Sequence, residues 1–127
     1  MKDYILITGA SSGIGLEMAT LLAAKNFNLI LVARSEDKLV KLQEILKNRF
    51  PVDVVYLSYD LSEPNAAQDL YQQIKELHYT VIGLINNAGF GDYGNFTEMP
   101  LAKDEAMIAV NITSLVGLTK LFGADMV

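Results

Sequence analysis

Cysteine is absent, which rules out disulfides, thiolate nucleophiles and thiolate metal sites together. A reducing compartment suits such a chain, and a cytoplasmic location is expected. Basic charge is scarce: 10 Lys and Arg against 15 Asp and Glu leave a formal net charge of -5. Sequence-independent binding to nucleic acid needs a basic footprint, so no nucleic-acid partner is expected. Histidine occurs once, at His78, where it reads as a partner for a helix C-terminus. No cluster has metal-ligand spacing, so no metal site is expected. Long apolar runs are missing too. The N-terminal run Tyr4-Ile5-Leu6-Ile7 is too short for a signal-peptide core or a membrane span, and no other stretch comes closer, so no membrane partner is expected.

With 127 residues, 51% of them hydrophobic, the chain has one domain's worth of length, and folding at this size buries roughly two-thirds of the unfolded surface. Four short apolar runs read as strands covered on both faces: Tyr4 to Thr8, Leu29 to Ala33, Val52 to Leu57 and Val81 to Asn86. Helical patterns follow each of them. The first carries Ile14, Met18, Leu21 and Leu22 as one face. The second carries Leu39, Leu42, Ile45 and Leu46, with Ser35 as N-cap and Glu36-Asp37 complementing the helix dipole. The third has Ala67, Leu70, Ile74 and Leu77, with Ser62 as cap and Pro64 in the first turn. The fourth follows Pro100, with Ile108, Ile112, Leu115, Thr119 and Phe122 along one side. Four strand–helix alternations imply an open α/β fold with a parallel sheet and right-handed crossovers. The loop 89–100 holds three of the glycines and is a candidate functional loop.

The first strand runs into Thr8-Gly9-Ala10-Ser11-Ser12-Gly13-Ile14-Gly15. Glycine lets a diphosphate approach the main chain, and the helix start beyond it offers free N–H groups and partial positive charge. A tight turn built of small residues satisfies the same three glycines. The end of the second strand is where a dinucleotide fold tests the adenosine ribose: an acid suits a free 2′-hydroxyl, an arginine suits a 2′-phosphate. Ala33-Arg34-Ser35 stands there, and Glu36-Asp37 follow only in the next turn.

These residues, with Asp60-Leu61 after the third strand, Asn86-Asn87-Ala88-Gly89 after the fourth and Val110-Asn111 in the fourth helix, resemble the short-chain dehydrogenase/reductase family over the whole chain. The resemblance implies a Rossmann-like doubly wound sheet of order 3-2-1-4 with four helices, incomplete at the edge where a fifth strand would lie. It implies that Gly9, Ser11, Ser12, Gly13, Ile14 and Gly15 surround the diphosphate and ribose, and that Arg34 selects NADP(H) over NAD(H). Asp60 would bond the adenine amino group and Leu61 flank the ring. Asn87, Ala88 and Gly89 would back the cofactor, Asn86 would tie the central strands, and Asn111 would distort its helix and hold a water in a proton relay.

The activity implied is hydride exchange between NADP(H) and a small carbonyl or alcohol. The family's serine and Tyr-x-x-x-Lys belong to a fifth strand and following helix. Residues 1–127 thus read as one dinucleotide-binding domain, the N-terminal half of such an enzyme. Tyr71-Gln72-Gln73-Ile74-Lys75 spells the same motif but sits on the third helix, where it reads as a surface i,i+4 pair. The open edge and the unpartnered helix stripe predict a homo-oligomer. A non-catalytic dinucleotide-binding or interaction module, and an incomplete gene product, stand as alternatives. A flavin or response-regulator domain is weaker, since no phosphoacceptor acid pair ends the first strand.

Overall fold

The structure is a computed structural model that describes residues 2–89, 96–98 and 100–127. In chain order the elements are β1 (Asp3–Thr8), α1 (Gly13–Ala24), β2 (Asn28–Ala33), α2 (Glu36–Arg49), β3 (Val54–Ser58), α3 (Ala66–Glu76), β4 (Thr80–Ile85), a short 3-10 turn (Phe96–Glu98), α4 (Leu101–Ile108) and α5 (Leu115–Met126). A π-helical turn, Ala109–Ser114, joins α4 to α5 without a break. The strands are parallel in the order β3-β2-β1-β4, as the resemblance implies. Of the glycine-rich loop 89–100, residues 90–95 and 99 lie outside the described residues.

Side chains alternate across the sheet, and both faces are covered. Leu6, Ile30 and Val32 pack with Leu70 and Ile74 of α3 and Leu118 and Phe122 of α5. Ile7, Leu29 and Leu31 pack with Ala19 and Ala23 of α1 and Leu39 and Leu46 of α2. Each fully buried Leu or Ile contributes about 1.5–3 kcal/mol relative to exposure. The central strands β1 and β2 therefore anchor both layers.

Several local expectations are corrected. In α1 the buried residues are Gly15, Ala19 and Ala23, while Ile14 and Leu21 are 73% and 58% exposed. Small residues let the helix lie close to the sheet, so bulk is on the outside. Ile45 and Leu77 are exposed as well. Strand β3 starts at Val54, because Val52 N–H turns back to the Phe50 carbonyl at Pro51. Helix α3 starts at Ala66 behind a left-handed Asn65, and Ser62 does not cap it because its N–H and hydroxyl both go to Asp60. His78 ends α3 through its backbone: it adopts φ 60 and donates its N–H to the Lys75 carbonyl.

In the last helix the core side is Val110, Ser114, Leu118 and Phe122, whereas Ile108, Ile112 and Leu115 of the expected stripe are exposed. The π turn takes an extra residue, which shifts the face that follows it. By length and composition alone the continuous 26-residue helix Leu101–Met126, whose most apolar 18-residue window has a mean hydropathy of 1.5, is long and apolar enough to cross a membrane. This corrects the expectation that no stretch is. One side of it is nevertheless built into the core.

Tyr71 and Lys75 do more than sit side by side. Both reach Asp125 of α5, at 2.8 and 3.3 Å, and the Tyr71 ring meets Phe122 edge-on at 5.0 Å. The two helices come together at Gly117, where an added Cβ would lie 2.6 Å from the Ala67 Cβ. Gly117→Ala is therefore expected to destabilise the fold by about 1–3 kcal/mol in chemical denaturation, despite alanine's better helix propensity. An unchanged or higher midpoint would show that the α3–α5 contact has slack.

Candidate functional site

At the C-terminal ends of the strands, β1 turns into α1 beside the residues leaving β4. Thr8 is buried at the end of β1. Its hydroxyl accepts the N–H groups of Asn87 (3.0 Å) and Ala88 (2.9 Å) and faces the Ile85 carbonyl at 3.5 Å. The Asn87 amide returns the contact by donating to the Gly9 carbonyl at 3.1 Å. Gly9 is left-handed (φ 65), and a Cβ there would lie 2.9 Å from the Ala88 Cα; a Cβ on Gly15 would lie 2.1 Å from the Gly9 carbonyl oxygen. Only glycine fits at either position. Gly13 differs: its φ is 56, and a Cβ there would meet nothing within 4 Å. It faces open space at the first turn of α1.

Above this junction lies a cleft of about 700 Å³. Of the residues singled out from the sequence, Gly9, Ser11, Ser12, Ile14, Arg34, Asp60, Leu61, Asn87, Ala88 and Gly89 line it. Gly13 and Gly15 do not, Gly15 being packed behind the turn. The exposure of Ile14 is thus exposure to the cleft. Asn111 does not line it either; it stands inside the π-helical turn beside Gly89, its Oδ1 2.8 Å from where a Gly89 Cβ would be. The helix is distorted where the resemblance implied distortion. Asn86 is a correction: its amide donates to the Thr119 hydroxyl of α5 at 2.9 Å, and strand tying falls to Asn87 and Thr8.

Ser12 precedes α1 in extended conformation without capping it through its side chain, and the first turn of α1 carries no acid. The helix N-terminus therefore presents N–H groups and partial positive charge towards the cleft, an arrangement suited to an anion. Across the cleft, the Ser58 hydroxyl holds the Arg34 carbonyl at 3.0 Å, and Tyr59 N–H bonds the Ala33 carbonyl at 2.9 Å. The strand end that presents Arg34 is thereby fixed to β3.

Burial alone would raise the Asp60 pKa, but hydrogen bonds from the Ser62 hydroxyl (2.7 Å) and N–H (2.9 Å), with the charge of Arg34, hold it below the usual carboxylate range. Both bonds fall on Oδ1. Because the folded value is depressed, the stability it contributes is present above the ordinary aspartate value of about 3.9 and is lost as pH falls through the lowered folded value. Tyr59 also lines the cleft; burial, then its hydrogen bond to Asp69, pushes its phenol pKa up.

Sequence reasoning missed Lys38 and Tyr59 as lining residues, and it missed the structural part of Thr8. A signal existed for Lys38, which stands four residues after Arg34 in a helix whose start was correctly placed.

The short chain dehydrogenase profile matches residues 3–127. The chain belongs to the short-chain dehydrogenase family. Among curated relatives, the very-long-chain 3-oxoacyl-CoA reductase of Meyerozyma guilliermondii is 44% identical over 88 residues, covering 68% of this chain and 25% of that protein. Sulfoacetaldehyde reductase 2 of Chromohalobacter salexigens is 36% identical over 120 residues, covering 94% and 47%. Among solved structures, a short-chain dehydrogenase from Sphingobium yanoikuyae in complex with NADPH superposes with a TM-score of 0.88 at 33% identity, over 98% of this chain and 48% of that one. The chain thus spans from a quarter to about half the length of these three family members.

Removing the Thr8 hydroxyl leaves the Asn87 and Ala88 N–H groups without their acceptor. Thr8→Val is expected to cost about 1–3 kcal/mol of stability, while Thr8→Ser retains most of it. Equal melting curves for the two variants would show that the hydroxyl does not hold the junction.

Proposed function

We propose that residues 1–127 form one dinucleotide-binding domain, the N-terminal half of a cytoplasmic, homo-oligomeric, NADP(H)-dependent oxidoreductase acting on a small carbonyl or alcohol. The observation that carries this reading is the cationic end of the cleft. Strand β2 leads into Arg34 with no carboxylate at its end, and Lys38, from the first turns of α2, lines the same region. Arginine at that point suits a ribose 2′-phosphate, and a guanidinium makes paired, charge-assisted bonds to phosphate oxygens. The NADPH complex of the Sphingobium yanoikuyae relative is in keeping with this choice.

The residues present fit such a cofactor. The α1 N-terminus, with the Ser11 and Ser12 hydroxyls that line the cleft, can donate to a phosphate. On this reading Asp60 accepts from the adenine amino group, a task for which its low pKa keeps it ionised, and Leu61 flanks the ring. Asn87, Ala88 and Gly89 back the cofactor. When bound, the cofactor supplies or accepts the hydride. Asn111, beside Gly89, holds a water through which a proton reaches the substrate oxygen.

Among the described residues no strand pairs with the outer edge of β4, which favours a second reading, in which the chain binds dinucleotide without turnover and recruits a partner along that edge. Turnover of any member of a carbonyl panel with NADPH supports the enzyme; binding with no turnover supports the module.

Bonds to a charged group contribute about 1.5–3 kcal/mol each, so Arg34→Ala is expected to raise the NADPH dissociation constant by about 10- to 100-fold. NADH affinity should stay within about twofold, since it carries no 2′-phosphate for the arginine to hold. Equal losses for both dinucleotides, or no loss for NADPH, would refute the assignment of Arg34.

A further inference from the structure

Among the described residues only Thr8 and Ser114 bury a polar side chain. Thr8 holds the junction beside the cleft, whereas Ser114, 3% exposed, closes the π-helical turn Ala109–Ser114. A serine or threonine inside a helix commonly donates to the carbonyl four residues back, as Thr20 does to Leu16 at 3.0 Å and Thr119 to Leu115 at 2.7 Å. Ser114 instead reaches out of its own helix. Its hydroxyl donates to the Leu61 carbonyl at 2.6 Å, across 53 residues of sequence. A buried hydroxyl is costly without a partner, so this bond fixes the π turn against the segment that follows β3. Apolar packing joins the same two segments: Leu61 and Val110 are buried in one cluster, and both line the cleft.

We propose that Ser114 is a positioning residue, which ties Asn111 to the end of the cleft that receives the adenine. The inference rests on the cofactor reading and extends it. Asn111 precedes Ser114 in the same turn, with its side chain beside Gly89 and outside the lining of the cleft. Asp60 and Leu61 stand on the cleft wall. Leu61 therefore has two tasks: its side chain flanks the bound ring, and its carbonyl holds the turn that carries the asparagine of the proton relay. Occupation of the adenine end presses on Leu61, the hydrogen bond passes the displacement to Ser114, and the turn carries it to Asn111. The bond from Asn86 to Thr119, at 2.9 Å, fixes the same helix to the end of β4 and not to the adenine side.

Adenosine 2′,5′-bisphosphate, which has no nicotinamide end, separates the two ends of the site. Titrated into the isotope-labelled 127-residue chain, it should shift the backbone amides of Asp60 and Leu61 and the side-chain amide of Asn111 along one saturation curve. In Ser114→Ala the shifts at Asp60 and Leu61 should persist, while the saturating shift at Asn111 should fall by at least about threefold. A loss of stability alone would leave that ratio unchanged, because both shifts are read at saturation in the folded chain. Ser114→Cys, close to serine in size and a far weaker donor, should show the same loss and serves where the alanine variant does not fold. Bisphosphate that shifts Asp60 and Leu61 but leaves Asn111 unmoved, or an Asn111 shift as large in the variants as in the unaltered chain, would overturn the proposal and leave the cofactor reading intact. Absence of any shift in the cleft would overturn both.

Discussion

The site depends on how closely two loops can approach. The turn after β1 and the residues leaving β4 press together until backbone meets backbone, with Gly15 beneath the Gly9 carbonyl and Gly9 against Ala88. A single methyl group at either position would force them apart. The polar groups that close contact would strand are satisfied within it: the Thr8 hydroxyl takes two N–H groups and the Asn87 amide takes the Gly9 carbonyl. Steric fit and hydrogen bonding act on the same few atoms, so the mouth of the cleft is fixed before any ligand arrives.

That arrangement divides the glycine-rich stretch into two jobs. Gly9 and Gly15 hold the turn against its neighbour, while Ser11 and Ser12 line the cleft where the α1 N-terminus presents its N–H groups. Asp60 and Arg34 sit across the cleft, each fixed by a serine: Ser62 by two bonds to the Asp60 carboxylate, Ser58 by one to the Arg34 carbonyl. A cleft with donors on one wall and a mixed acid–base pair on the other suits a ligand that is anionic at its centre and carries a base at one end. The family to which the chain belongs binds such a dinucleotide. Its preference between phosphorylated and unphosphorylated forms rests, in the proposal, on Arg34.

Much of this was legible in the sequence because strands buried on both faces are continuous apolar runs and because the site residues stand at strand ends. What was not legible followed from packing. Apolar periodicity favoured Ile14 and Leu21 in α1, yet the sheet accepts Gly15, Ala19 and Ala23, since close helix–sheet approach needs small side chains. In the last helix two apolar stripes compete, and a π-helical turn, which leaves no mark in hydrophobicity, decides which one is buried. Ser62 looked like a cap but spends its donors on Asp60. Asn86 looked like a strand tie but reaches α5, because the alternation at the end of β4 points Asn87 at β1 instead. In each case the pattern was present and a tertiary partner chose between two local readings.

On the reading proposed above, the cleft above the Gly9–Ala88 contact receives the dinucleotide. Backbone amide chemical shifts of the 127-residue chain, recorded during titration with NADP, test it residue by residue. Saturating shifts are expected at residues 11–15, at Arg34 and Lys38, at Asp60-Leu61 and at residues 87–89, with Tyr71, Lys75 and Asp125 unmoved. Shifts centred instead on a second groove, lined by Ala67 and Gln68 of α3 and Ala102, Glu105 and Ala106 of α4, or none at millimolar ligand, would contradict it.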